Sequence, residues 1–162
     1  MTTPRWLDDR EARLWQLYRD LHRRLTSELE SQLLANSSLS GADYQLLVPL
    51  SEAPEGVLRA RDLGLAIGWD RSRLSHHVRR MEQRGLVSRE SCPVDARGSM
   101  VRLTDEGRSA IVAAAPKHVA AVRKYFFDVL SREDQASLDA IFAGLLANLP
   151  ESGDCCEEGP IP

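Results

Sequence analysis

The stretch that most restricts the fold is Gly68-Trp69-Asp70. The glycine closes a short helical pattern, ARDLGLAIG, and the aspartate two residues later is placed to cap a second helix that runs to Arg84 before Gly85. Two helices separated by so few residues form a tight helix-turn-helix. Behind Gly85 come LVSRES and SMVRL, two short strand-like runs around CPVDARG, whose proline and glycine suit a hairpin loop of eight or so residues. Helix, turn, helix and hairpin in that order predict a winged helix-turn-helix.

The flanks are helical. From Asp8 to Leu34 the residues Leu14, Tyr18, Leu21, Leu25, Leu29 and Leu33 recur at three- to four-residue steps, the pattern of one long amphipathic helix. NSSLSGAD interrupts it. Ser40 with Asp43 reads as a capping box for a helix to about Ser51, which Pro49 should kink or shorten. APEG reads as a loop, and no β signal outside the hairpin is convincing. Thr104, Asp105 and Glu106 open a further helix with an expected bend at Pro116. Ser131 and Asp134 cap the last one, which carries Leu138, Ile141, Phe142, Leu145 and Leu149 on one face. The tail after Pro150, residues 151–162, is acidic and rich in glycine and proline, so disorder is expected. The fold class is therefore mainly α with a small β-hairpin wing.

With 162 residues, 43% hydrophobic and 28% charged, the chain suits one globular domain. It carries no leader-like or membrane-length apolar segment, so a cytoplasmic protein is expected. Cys92, Cys155 and Cys156 are too few and too awkwardly spaced for a disulfide framework. The net charge of −3 hides an asymmetry: residues 59–108 hold eleven arginines against seven acids, and the rest holds ten bases against seventeen acids. Basic charge concentrated in the helix-turn-helix is the footprint of a polyanion-binding surface.

Within the second helix of the motif, DRSRLSHHVRR, a helical wheel puts Leu74, Val78 and Met81 on one face, and Ser72, Arg73, His76, Arg79 and Arg80 broadly opposite. His76 and His77 are successive residues, about 100° apart on a helix, and no cysteine or carboxylate completes a tetrahedral metal set. No nucleophile, base and orienting group come together, so an enzyme is not expected, nor is a cofactor. Serines and arginines on an exposed helix face are what major-groove reading requires, although an arginine-rich face is also what plain solvation produces. The hairpin favours the first: Arg97 sits at its tip with Asp95 two residues before it, suited to a narrow minor groove. Arg89 and Arg102 on the flanking strands are further candidates for phosphate neutralisation, and His77 reads as a packing residue at the edge of the buried side.

The run from Arg61 to Arg108 resembles the MarR family, the multiple-antibiotic-resistance type of bacterial transcription regulators. The likeness rests on SRLSHHVRRME as recognition helix, RGLVSRE entering the wing, DARG at its tip and LTDEG opening the next helix. It implies a sequence-specific DNA-binding transcription regulator, a ligand-responsive repressor that acts on double-stranded DNA as a homodimer. In that layout residues 1–150 are one domain, with the winged part at about 40–104 and dimerisation helices at about 8–34 and 104–149. The apolar surface of the terminal helices agrees, since it exceeds what a lone winged domain buries. Dimer symmetry predicts a pseudo-palindromic site with half-sites about one helical turn apart. Carried over by position, Ser72, Arg73, Ser75 and His76 face bases or nearby phosphates, Arg79 and Arg80 face phosphates, and Arg97, oriented by Asp95, faces the minor groove. Gly64 departs from the alanine usual in the family, at a cost of about 1 kcal/mol of helix preference.

The resemblance further implies that a small aromatic or amphipathic acid binds between the dimerisation helices and the winged part. Trp15, Tyr18, Arg19, His22 and Tyr44 are the candidates for its pocket, against the reading that aromatics at helical spacing are core. Cys92 beside the wing is either a redox-responsive thiol or incidental. The alternative for the whole chain is a winged-helix module whose arginine face meets an acidic protein without reading DNA sequence.

Overall fold

The computed structural model describes residues 4–91 and 99–150. The helices are α1 (Asp9–Asn36), α2 (Gly41–Glu52), α3 (Ala60–Ile67), α4 (Arg71–Gln83), α5 (Asp105–Val122) and α6 (Arg132–Ala147); the strands are β1 (Val57–Arg59), β2 (Val87–Ser91) and β3 (Ser99–Leu103). Helix starts follow local chemistry. Asp8 with Glu11, Ser40 with Asp43, and Ser131 with Asp134 each form a reciprocal capping box, in which the cap side chain and the third helical residue exchange hydrogen bonds with each other's backbone. Asp70 caps α4 by accepting from the Arg73 N–H at 2.9 Å, and Gly68 ends α3 in the left-handed conformation at φ 66°.

The core lies in the winged part. Leu46, Leu47 and Leu50 of α2 meet Leu63 of α3, Leu74, Val78 and Met81 of α4, and Val87, Val101 and Leu103 of the sheet, with Ile111 and Ala114 of α5 closing it. Trp69, in the turn between α3 and α4, belongs to the same cluster. The terminal helices are different in kind: α1 buries only Leu33 and α6 buries no residue. Leu14, Trp15, Leu17, Tyr18 and Leu21 on α1, and Ile141, Phe142, Leu145 and Leu146 on α6, are exposed. No helix among the described residues is long and apolar enough to cross a membrane.

Two expectations about the backbone need correcting. Pro49 does not end α2, which continues to Glu52, and the Ala53 N–H bonds the Pro49 carbonyl at 3.0 Å. Proline inside a helix costs about 3 kcal/mol, and here Leu46, Leu47 and Leu50, all fully buried, hold the helix on both sides of it. Pro116 lies inside α5, which runs on to Val122 and is followed by a π turn at Arg123–Phe127. The second correction concerns the sheet, which has three strands in the order β1-β3-β2, all antiparallel. Val57–Arg59 is too short to announce itself, and becomes a strand because it pairs with the free edge of β3, Leu58 opposite Val101.

Two glycines are explained by close approach. At Gly107 a Cβ would fall 2.0 Å from the Leu86 carbonyl oxygen, because α5 starts directly against the entry to β2. The Thr104 hydroxyl donates to the Gly85 carbonyl at 2.6 Å and accepts from the Gly107 N–H at 3.0 Å, joining the two ends of the wing. At Gly64 a Cβ would lie 3.1 Å from the Trp69 carbonyl oxygen, while the Trp69 N–H bonds the Gly64 carbonyl at 2.9 Å. The helix preference lost at Gly64 is thus offset by a tight turn between α3 and α4.

Candidate nucleic-acid interface

Helix α4 is anchored by one face and open on the other. Leu74, Val78 and Met81 are at most 4% exposed, and Ser72, Arg73, Ser75, His76, Arg79 and Arg80 are all exposed, as the wheel predicts. Spacings of three, four and seven residues place Ser72, Ser75 or His76, and Arg79 in one row, with Arg73, His76 and Arg80 beside it. Asp70, Ser72, Arg73, His76 and His77 border an open depression at the N-terminal end of the helix.

Ion pairing separates the arginines of the winged part into two sets. Arg84 is bound to Asp43 at 2.7 Å, Arg89 to Glu82 at 2.9 Å, and Arg102 to Glu90 through Nη2 and Oε2 at 3.1 Å. Hydrogen bonds from Arg89 and Arg102 hold the Glu82 and Glu90 carboxyls below the usual carboxylate range. By contrast, Arg71, Arg73, Arg79 and Arg80 make no ion pair among the described residues. Among the described residues the outer face of α4 thus carries four arginines without an ion-pair partner, and Arg59 and Arg61, outside that helix, are also without one. Arg89 and Arg102, the further candidates for phosphate neutralisation, thus have carboxylate partners on the surface. Asp95, Arg97 and Cys92, together with Cys155 and Cys156, lie outside the described residues.

The two histidines separate as expected. His76 is exposed, whereas the His77 side chain is 13% exposed, with Nε2 2.9 Å from Asp43 Oδ1 and its ring edge-on to Trp69 at 5.3 Å. Asp43 itself was legible only as a capping residue. Burial raises its carboxyl pKa, and hydrogen bonds from Arg84 and Ser40 outweigh this and bring it below the ordinary value. The Trp69 ring also carries the Arg73 guanidinium, Cζ 4.3 Å from its centroid. Among the described residues no cluster of histidine, cysteine and carboxylate side chains is arranged to hold a metal.

The five candidate ligand residues do not come together within the chain. Trp15, Tyr18 and His22 stack along the exposed side of α1, with centroids 5.3 and 6.2 Å apart in turn, and Arg19 is exposed beside them. Tyr44 instead borders a cleft between α2 and α5 with Val48, Ser51, Arg108, Ile111 and Val112. Its ring lies 4.3 Å from that of His118, a residue that no motif or spacing singles out. Burial lowers the pKa of His118 and raises that of Tyr44. His118 Nδ1 is buried with no hydrogen-bond partner among the described residues.

Comparison with known proteins agrees with this geometry. A sequence profile described as MarR family matches residues 37–98, a stretch that includes α2, the helix-turn-helix and β2. The chain is similar to Sco3205, a MarR family transcriptional regulator from Streptomyces coelicolor solved in complex with DNA. The two are 40% identical with a TM-score of 0.88, over 94% of this chain and 96% of that one. AbsC, a MarR family transcriptional regulator from the same organism, is also 40% identical, over 90% of this chain and all of its own, with a TM-score of 0.83. The HTH-type transcriptional regulator YdgJ of Bacillus subtilis is 28% identical over 107 residues, 66% of this chain and 64% of its own length. From the capped recognition helix to the full-length likeness with regulators of this type, the observations agree: the chain belongs to the MarR family.

Proposed function

We propose that this protein is a cytoplasmic transcription regulator, without enzymatic activity, that binds a pseudo-palindromic operator as a homodimer and represses by occupying it. Residues 1–150 act as one domain, the winged part at about 40–104 reading DNA and the helices at about 8–34 and 104–149 joining two copies. The observation that carries the reading is the cationic face of α4, without ion-pair partners among the described residues and seated by its buried opposite side. Each copy lays α4 in a major groove, the two grooves about one turn or 34 Å apart. Ser72, Arg73, Ser75 and His76 face base edges or nearby phosphates, and Arg79 and Arg80 face phosphates. Arg97, with Asp95 beside it in sequence, is assigned to the minor groove.

The same reading includes release by a small aromatic or amphipathic acid. Its place is the cleft between α2 and α5, where Tyr44, backed by the His118 ring at 4.3 Å, offers an aromatic surface and Arg108 a cation, with Glu52 also on the lining. Of the five candidates named from the sequence, Tyr44 borders this cleft; Trp15, Tyr18, Arg19 and His22 lie on the α1 face that a second copy covers.

Selection of genomic fragments by the purified protein, followed by footprinting, tests the function. The expected result is a protected two-fold symmetric site whose affinity falls steeply with salt. Capture of an acidic protein partner with no footprint on any selected fragment would overturn it in favour of a protein-interaction module.

A further inference from the structure

Asp43 is the one buried charged side chain among the described residues, and it serves two positions of α4 at once. Its Oδ2 accepts from Arg84 Nη1 at 2.7 Å and from the Ser40 N–H at 2.8 Å, and its Oδ1 lies 2.9 Å from His77 Nε2. Arg84 also reaches the Ser38 carbonyl at 2.5 Å. His77 and Arg84 are seven residues apart, two turns along one face, so a carboxylate on α2 sets both the tilt and the rotation of the helix. The connection continues outward. The His77 ring meets Trp69 edge-on at an interplanar angle of 88°, and Trp69 is only 8% exposed and fixed to α3 through its N–H. Over the same indole lies the guanidinium of Arg73.

We infer that Asp43, His77 and Trp69 are positioning residues that aim Arg73, and that Arg73 is the side chain that decides base choice, reading a guanine through its paired N–H donors. The inference rests on the DNA-reading function proposed above and names the part of the surface that confers its specificity. A guanidinium distinguishes guanine only if its plane meets the O6 and N7 edge, and an arginine on a bare helix samples many planes. Stacking on a buried indole removes most of that freedom before DNA arrives. Arg79 and Arg80 have no such aromatic support among the described residues, which suits contacts to phosphate, where charge matters more than plane.

The test uses the full chain and the site it selects from randomised duplex DNA. Discrimination is read as the ratio of affinities for that site and for the same site with one G·C pair replaced. Arg73→Lys, which keeps the charge, should reduce discrimination at one base pair per half-site about tenfold while leaving the salt slope unchanged. Trp69→Leu and His77→Gln should reduce discrimination at that same pair, Trp69→Phe should restore most of it, and neither loss should add to that of Arg73→Lys. His77→Gln and Trp69→Phe keep the test valid if Trp69→Leu fails to fold, which thermal unfolding reports. Equal weakening on every sequence, or full additivity with Arg73→Lys, overturns the inference while leaving the regulator reading in place. A wild-type protein that selects no sequence overturns both.

Discussion

Arg84 places its guanidinium 2.7 Å from the carboxylate of Asp43, joining the last turn of the recognition helix to the first turn of α2. Removing the carboxylate leaves Arg84 and His77 facing a buried void. Breaking a buried pair costs about 3–5 kcal/mol, but Arg84 is 40% exposed and regains some hydration. Asp43→Ala should therefore cost about 2 kcal/mol in urea unfolding at pH 7. The pH dependence has a defined sign. The folded-state pKa of Asp43 lies below its ordinary value of 3.8, so its stabilisation is complete above that value and is lost as pH falls through the folded pKa. Asp43→Asn should be less stable than wild type at pH 7, and the difference should shrink as pH drops below about 4.

Substitutions of the free and the paired arginines should separate in their salt response. Arg79→Ala and Arg80→Ala should each weaken operator binding on all sequences and lower the slope of log K against log salt by about 1. Arg102, held by Glu90, should leave the slope unchanged when replaced by alanine. Affinity measured across a salt series for the three variants checks this, and a slope change for Arg102→Ala equal to that for Arg79→Ala would break the distinction.

The apolar faces of α1 and α6 should be closed by a second copy. Ile141 and Leu145 are 54% and 60% exposed on the same side of α6, one turn apart. Placing a charge there in a buried interface removes hydrophobic contact and strands the carboxylate. Ile141→Glu and Leu145→Glu should each raise the dimer dissociation constant about a hundredfold in sedimentation experiments. The helix-turn-helix core, built from other residues, should keep its near-native circular dichroism.

The elements most visible in the sequence are those fixed by local chemistry. Ser40, Asp70 and Ser131 cap the helices they were read to cap, and Gly68 ends α3, because these residues act on the backbone within a few positions of themselves. Leu74, Val78 and Met81 were equally legible, since helical period alone assigns them a face. What the sequence concealed depends on distant partners. Val57–Arg59 becomes a strand through β3, more than forty residues later. Pro49 stays helical through its leucine neighbours. Asp43 pairs with residues 34 and 41 positions away, and its local role as a capping residue gave a sufficient account of it. The candidate ligand residues separate for the same reason: spacing along α1 and aromatic character cannot tell that Tyr44 lies against His118 while Trp15 and Tyr18 are exposed.

The two close-approach glycines should respond unequally. A Cβ at Gly107 would overlap the Leu86 carbonyl oxygen, a backbone atom that cannot rotate away. Gly107→Ala should cost about 3 kcal/mol, at the upper end of overpacking effects. At Gly64 the 3.1 Å contact with the Trp69 carbonyl demands a shift of a few tenths of an ångström, against about 1 kcal/mol gained in helix preference. Gly64→Ala should change stability by less than about 1 kcal/mol in thermal unfolding. A loss at Gly64 as large as that at Gly107 would mean that the turn is the stiffer junction.

His118 should contribute a second, distinct pH dependence. Burial lowers its pKa from the ordinary value of 6.5, so the folded protein favours the neutral ring and the unfolded chain takes up the proton first. Stability from this group is complete above 6.5 and is lost as pH falls from there through the folded pKa. His118→Gln should flatten the melting temperature as pH falls below the ordinary histidine value of 6.5, where wild type declines, while the separate loss from Asp43 below its ordinary value of 3.8 remains. An unchanged decline in the variant would place the titrating group elsewhere.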